Sequence, residues 1–400
     1  MIDWRSARLG SVLKVKHGYA FAGPAFSSDL SGLPIVVSIG NFDYRGGFRF
    51  ATTQNREYRG GYPKEFELSP GDLLVVMTCQ TAGGEILGLP ARVPDDGRTY
   101  LHNQRIGLIT TDDGHLDPRY AYYLFLSPIV NRQLAMMATG TKILHTSPQR
   151  IGEVEVSLPP LTEQRAIASV LGTLDEKIEA NQRTVELEEQ LATRLLDQAP
   201  RRIPLHDLAV VRRTTLDPAS SGMTMVDHFS LPAFDERRLP VRQAGAEIKS
   251  AKQRIDDASV LVSRLNPHIP RVWYAVPEPG VLGVASTEFV VMTPLATTTA
   301  EELWACCNST SFSSALAESV TGTTGSHQRV QAADVLSTKV GDPMSTTPAQ
   351  RLAVNTMVKS AFVLRNESDT LMTLRDTLLP KLLSGELRVR DVESLVEEAV

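Results

Sequence analysis

Cysteine is nearly missing from this chain: Cys79, Cys306 and Cys307 are the whole supply in 400 residues. They make no C-x-x-C pair, which excludes a disulfide framework and a structural zinc site. No apolar run approaches the roughly 18 residues that would span a bilayer. The opening MIDWRSARLG has no apolar signal core, so a cytoplasmic location and no membrane partner are expected. A GxxxxGK[ST] phosphate cradle is missing, because TGTTGSH at 321–327 lacks the lysine. The paired prolines 159–160 sit in SLPPLT, so there is no [N/D]-P-P-[Y/F] loop for amino-methyl transfer. No glycine-rich cofactor turn follows a strand. His102, His145, His206 and His327 lack metal-ligand spacing. No cofactor and no metal are expected.

What is present is an ordinary globular composition, 42% hydrophobic and 22% charged, in a chain long enough for two to four structural units. The net charge is −5, and it is unevenly spread. Residues 1–155 carry 16 basic and 15 acidic groups, 201–345 carry 14 and 15, and 346–400 carry 7 and 8; 156–200 carry 4 and 8. The acidity is concentrated at the chain's midpoint and the flanking bodies are near neutral. Such bodies bind nucleic acid only through local clusters, with a partner supplying much of the phosphate neutralisation.

The acidic midpoint reads as one long helix. Ile167, Leu171, Leu174, Ile178 and Val185 follow a 3–4 spacing with Asn181 in one seam position, then the pattern shifts to Leu187, Leu191 and Leu195. Pro159-Pro160 blocks helix upstream, Thr162 serves as N-cap, and Pro200 and Pro204 close the segment. A second helix near the end repeats the design. Met357, Leu364, Leu371 and Leu378 recur every seven residues, with Val354, Ala361 and Leu374 beside them. Thr347-Pro348 caps it, Pro380 is expected to kink or end it, and Gly385 to terminate it. Leu161, Val170, Leu195, Val358 and Phe362 fall partly off the seams, apolar surface for a partner or for the adjacent body.

Each helix follows a similar phrase, TGTKILHTSPQRIGEVEV at 139–156 and TGTTGSHQRVQAADVLSTKV at 321–340, and leads into Gln164-Arg165 or Gln350-Arg351. Upstream, GDLLVVMT (71–78) and DASVLVSR (257–264) both read as a turn opening into a buried strand. Matching positions lie about 180–187 residues apart, which makes the chain a tandem duplication of a body plus a helix. Strands are expected at 35–38, 73–77, 106–110, 260–263, 272–276 and 289–292, with late helices over 120–138 and 300–320. The fold class is α+β: two globular domains in tandem, separated by two long helices packing as an antiparallel coiled coil.

This order, with LPPLTEQRAIASVLGTLDEKI opening the first helix and LLPKLLSGEL at the end of the second, resembles the specificity subunit of type I restriction–modification systems. GDLL (71–74) and STEF (286–289) also look like recurrent phrases of that family's target-recognition domains. The likeness covers roughly residues 8–390; DPMSTTPAQRLAV departs from it in lacking the paired prolines and the Glu-Gln. The resemblance implies target-recognition domains at 1–156 and 201–345, a spacer helix at 157–200, a second at 346–390 and a tail at 391–400. It implies that each domain reads one half of an interrupted site in double-stranded DNA. It also implies that the helices dock two methyltransferase (modification) subunits, that a restriction (translocase and nuclease) subunit joins them, and that the chain itself is not an enzyme.

DNA readout uses Arg, Asn, Gln, Ser and Thr on base edges and Lys or backbone amides on phosphates. Those residue types gather on loops in both halves. In the first they are Asn55, Arg56, Arg59 and Lys64, then Asn103, Gln104 and Arg105, then Lys142, His145, Ser147, Gln149 and Arg150. In the second they are Arg264, Asn266, His268 and Arg271, then Thr324, Ser326, His327, Gln328 and Arg329. Solvated loop side chains are the bland alternative for each. PQRI and HQRV stand equally as a structural junction whose Arg pairs with the acidic helix. Two other functions remain open: a metal-dependent nuclease using Asp235 and Glu247 of a D…ExK-like pattern, and a protein scaffold that never meets DNA.

Overall fold

The computed structural model describes residues 4–27, 32–48, 56–220, 222, 224–319 and 328–400. They form two compact units, 1–177 with 371–400 and 178–370.

In the first unit a four-stranded antiparallel sheet runs in the order Leu13–His17, Ile106–Thr111, Leu73–Val76, Pro90–Arg92. Gly71, at φ +86, makes the turn that starts Leu73–Val76, and all four of that strand's residues are buried. A five-stranded sheet follows the order Phe26–Ser27, Glu57–Tyr58, Ile35–Val36, Tyr100–Leu101, Glu67–Leu68, with only the Ile35/Tyr100 pairing parallel. Arg5–Arg8 pairs with Glu155–Leu158.

The second unit repeats this plan. Its four-stranded sheet runs Ala209–Val211, Phe289–Pro294, Ser259–Ser263, Val272–Ala275. Its five-stranded sheet runs Thr215–Leu216, Lys252–Ile255, Leu282–Ala285, Met225–Phe229, Val241–Ala244, again with one parallel pair, Met225–Phe229 on Leu282–Ala285. Arg202–Pro204 pairs with Lys339–Gly341. One strand departs from the repeat. Phe26–Ser27 pairs with Glu57–Tyr58, the counterpart of Val241–Ala244, whereas Thr215–Leu216 pairs with Lys252–Ile255, the counterpart of Glu67–Leu68.

Each expected late helix is two helices. Pro118–Leu126 and Pro128–Met137 part at Ser127, which is extended ahead of a proline. Ala300–Cys307 and Thr310–Glu318 part at Ser309, whose hydroxyl caps the second by accepting the Phe312 N–H. They cover the four-stranded sheet: Leu303, Trp304 and Phe312 pack in one core with Val260, Val262, Val290 and Met292.

The long helices are Leu161–Asp197 and Pro348–Ser384, 37 residues each, or about 55 Å at 1.5 Å per residue. The first begins two residues early: Glu163 and Gln164 donate to the Pro160 carbonyl, so Thr162 lies in the first turn and is not the cap. Thr347 caps the second as expected, with Gln350 bonded back to it. Pro380 does not end that helix. Leu378, Leu379, Leu382 and Leu383 are buried on both sides of it, and the helix stops at Gly385, φ +74. Residues given as a tail carry a further helix, Val389–Ala399, with Val392 and Val396 buried.

In the first unit Ile167, Leu171 and Leu174 are buried, as are Leu371 and Leu378, and Arg375 Nη1 donates to Asp175 Oδ1 at 2.8 Å. In the second, Asn181 Nδ2 donates to Glu367 at 3.0 Å and Arg365 to Glu189 at 2.6 Å, while Ala192 and Leu196 share a core with Val358 and Val354. Numbers rise along one helix as they fall along the other, so the pair is antiparallel. Ile178 and Val185 are buried, and Met357 and Leu364 are half-buried. The expected shift to Leu187 and Leu191 does not occur. The 3–4 spacing continues through Ala192 and Leu196, leaving Leu187 60% and Leu191 53% exposed. Val358 and Leu195 belong to the second unit's core, and Phe362 sets its ring edge-on to Tyr274 at 5.7 Å.

Candidate nucleic-acid interface

The end of Leu73–Val76 gathers two of the first unit's candidate stretches. Met77 donates its N–H to Arg105 O and accepts from Thr146 N–H, both at 2.9 Å, and Thr78–Cys79 pairs with Leu144–His145. Asn103 Oδ1 accepts the Arg105 N–H at 3.1 Å, which tightens the turn and leaves the Gln104 and Arg105 side chains exposed. Lys142 and His145 are also exposed; His145 Nδ1 lies 3.1 Å from Thr78 Oγ1. Gln149 and Arg150 stand on the short helix Pro148–Glu153, capped by Ser147. Gln149 bonds Glu153 and Arg150 bonds Thr139 Oγ1, each at 3.1 Å. The third stretch sits on the five-stranded sheet: Arg56 lies over the Phe26 ring at 5.5 Å, Arg59 donates to Ser27 Oγ at 2.8 Å, and Lys64 is exposed. Asn55 lies outside the described residues.

The second unit builds the same junction. Arg264 donates its N–H to Glu288 O at 2.8 Å and accepts from Val330 N–H at 3.0 Å, and Leu265 bridges Arg329. Glu288 N–H donates to Ser286 Oγ, as Arg105 does to Asn103. Asn266, at φ +51, donates its N–H to Gln328 O at 2.9 Å. Arg264 is engaged by Val330 O and Gln331. Arg271 closes on Asp235 through Nε at 2.6 Å and Nη2 at 2.9 Å, with its side chain only 13% exposed. Arg329 closes on Glu288 through Nε at 3.1 Å and Nη2 at 2.8 Å. His268 is exposed. Thr324, Ser326 and His327 lie outside the described residues.

These bonds correct the alignment of PQRI with HQRV. Val330 makes the bond that Thr146 makes, so the counterpart of Arg329 is His145, before the short helix. Arg150 stands inside that helix, and its counterpart in Ala332–Ser337 is Asp334. The shared Gln-Arg is a coincidence of letters. On the junction alternative Arg329 pairs with the acidic helix; it pairs instead with Glu288 of its own body.

The nuclease residues fare as follows. Both Asp235 oxygens accept from Arg271, and Glu247 is exposed at the end of a 3-10 turn. Among the described residues no group of three or more His, Cys, Asp or Glu stands together as a metal cage. No helix among the described residues is long and apolar enough to cross a membrane.

Sequence reasoning missed the groups that lock each body to its helix. Gln164 is buried; it accepts from Asp117 N–H at 2.9 Å and donates to His115 O and Pro159 O. The arginines after Gln164 and Gln350 both reach the start of a late helix, Arg165 to Asp117 at 3.4 Å and Arg351 to the buried Glu302 at 2.6 Å. The repeated Gln-Arg was the available signal. His102 is buried with Nε2 2.8 Å from Ile106 O, and burial pushes its pKa down to about 4. It is a neutral core imidazole.

Residues 1–189 match the family model described as type I restriction modification DNA specificity domain. The chain is 24% identical over 199 residues to the type I restriction enzyme MjaVIII specificity subunit of Methanocaldococcus jannaschii, covering 49% of this chain and 45% of that protein. It is 24% identical over 196 residues to the type I restriction enzyme EcoBI specificity subunit of Escherichia coli, covering 48% and 36%. The matched stretch therefore spans less than half the length of these relatives. The crystal structure of a type I restriction–modification S subunit from M. genitalium is similar in fold over 95% of this chain and 96% of its own, with a TM-score of 0.57 at 13% identity.

Proposed function

We propose that this chain, whose residues 1–189 match the type I restriction modification DNA specificity domain, is the DNA-reading subunit of a cytoplasmic type I restriction–modification complex. The observation that carries the reading is the duplicated junction. Two bodies whose four-stranded sheets share one strand order each bring polar and basic loops together at the end of a central strand. On this reading the domains 1–156 and 201–345 each read half of an interrupted site, and the helices within 157–200 and 346–390 set the gap and dock two methyltransferase subunits. A restriction subunit completes the complex, and chemistry resides in the partners.

The test is co-expression with the modification subunits, followed by mapping of methylated bases in host DNA. Exchanging residues 1–156 for those of another family member should change one half of the modified site and leave the other. A change in both halves would overturn the modular reading. Adding four residues to each helix, after Glu179 and near Glu367, adds about 6 Å. That is nearly two base pairs at about 3.4 Å each, so a folded variant should keep both half-sites and prefer a longer gap.

A further inference from the structure

The Arg329–Glu288 pair is built in a way that a surface ion pair does not require. Both residues sit on anchored backbone. Glu288 is held by its N–H to Ser286 Oγ and its carbonyl to Arg264 N–H, and Arg329 by the bridge to Leu265 and by Val330 N–H to Arg264 O. The guanidinium meets the carboxylate side-on, through Nε and Nη2. A guanidinium carries five N–H groups in one plane. The side edge is therefore spent on Glu288, while the end edge, Nη1 and the outer hydrogen of Nη2, has no other partner among the described residues. The Arg329 side chain is 51% exposed and that of Glu288 31%. Arg271 makes a similar fork, but its side chain is only 13% exposed.

The end edge of arginine spans N7 and O6 of guanine in the major groove, the commonest specific protein–DNA contact. A phosphate also accepts from arginine but asks for no fixed plane. A carboxylate that fixes the plane in advance removes rotamer freedom before binding, which favours the contact that depends on orientation. An exposed pair contributes about 0–1 kcal/mol to folding, so stability does not account for two anchored partners.

We propose that Arg329 reads a guanine in the half-site of the second body and that Glu288 is its positioning residue. This rests on the DNA-reading function proposed above.

The test uses the full chain expressed with its modification subunits, comparing wild type, Arg329→Lys and Glu288→Gln. Wild type should methylate a site whose second half contains a guanine. Arg329→Lys should lose about 10- to 100-fold of the preference for guanine at one position of that half, as expected for a bidentate contact. Glu288→Gln should lose about tenfold at the same position, with the first half-site and the melting temperature unchanged. In duplex binding, 7-deazaguanine at that position should weaken wild type and leave Arg329→Ala unaffected. A second half-site without guanine overturns the proposal at once. A uniform loss across all sequences, with a salt slope lower by about one, assigns Arg329 to a phosphate and overturns it too. A lower melting temperature with unchanged base preference makes the pair structural. If wild type directs no site-specific methylation, the DNA-reading function itself fails, an outcome distinct from the other three.

Discussion

At the turn entering the long strand of the four-stranded sheet, the first body carries His102-Asn103-Gln104-Arg105 and the second Ala285-Ser286-Thr287-Glu288. Both turns make the same backbone bonds, Ile106 N–H to Asn103 O and Phe289 N–H to Ser286 O. Around that constant frame the chemistry is inverted. Across the junction the first body sets His145 where the second sets Arg329, so one has two basic side chains and the other an ion pair. Among the described residues Arg105 has no carboxylate partner. The backbone fixes where a side chain emerges and leaves its charge free to change, which is what the proposed reading of two different half-sites would need.

The largest expected effect separates the two units at their helices. Arg375 is 5% exposed and holds Asp175, Asp376 and the Arg45 carbonyl, while Tyr123 donates to the other Asp175 oxygen. Burial would lower the Arg375 pKa, but Asp175 and Asp376 outweigh it and raise it. Arg375→Ala leaves Asp175 the Tyr123 hydroxyl but no countercharge and should cost about 3 kcal/mol. Glu189 is served by both Arg365 and Arg238, so Arg365→Ala leaves it a partner and should cost less, about 1 kcal/mol. Denaturant unfolding of the two variants checks the order; equal losses would refute it.

Acid should also divide the bodies. Because the His102 pKa is near 4 when folded and about 6.5 in an unfolded chain, the unfolded state binds the extra proton first. Stability of the first body should therefore be full above about pH 6.5 and decline by up to about 3 kcal/mol as pH falls to 4. The matched residue in the second body is the buried Ala285, although burial also lowers the pKa of the half-buried His228 there. His102→Gln keeps a donor for Ile106 O and should flatten the first body's pH profile between 6.5 and 4. A profile unchanged by the substitution would clear His102 of any role.

Smaller effects concern DNA. Arg105→Ala should weaken binding by the assembled complex and lower its salt slope by about one, without changing base preference. Arg105→Glu together with His145→Arg transplants the second body's pair into the first. A double-mutant cycle should find a coupling of about 0.2–1 kcal/mol, the size of an exposed ion pair. No coupling would mean that the matched backbones do not bring these two side chains within reach.

Much of the frame was legible in the sequence because burial leaves a periodic trace. Leu73–Val76 is buried on both faces and reads as an apolar run, and Ile167, Leu171, Leu174 and Ile178 mark a seam. The later seam was misread because its positions hold Ala192 and the half-buried Glu188, while larger leucines at 187 and 191 face outward. Side-chain size misled where packing geometry decides. The late helices were read as unbroken because Ser127 and Asn308-Ser309 interrupt only one turn of an apolar pattern. At the candidate interface the loops were found by residue type, but their partners were not. Glu288 lies 41 positions before Arg329, and no local spacing announces a bond made across a sheet end.

The division of the chain into 1–177 with 371–400, and 178–370 between them, has a consequence in time. A ribosome adding about 5–20 residues per second spends on the order of 10–40 s on the intervening stretch. Throughout that interval the nascent first body has Ile167, Leu171 and Leu174 in hand and no Leu371 or Leu378 to cover them. The second unit has its whole contiguous chain sooner. It should mature first during synthesis, with the first unit waiting, greasy stripe uncovered, on chaperones or on the emergence of residues 371–400.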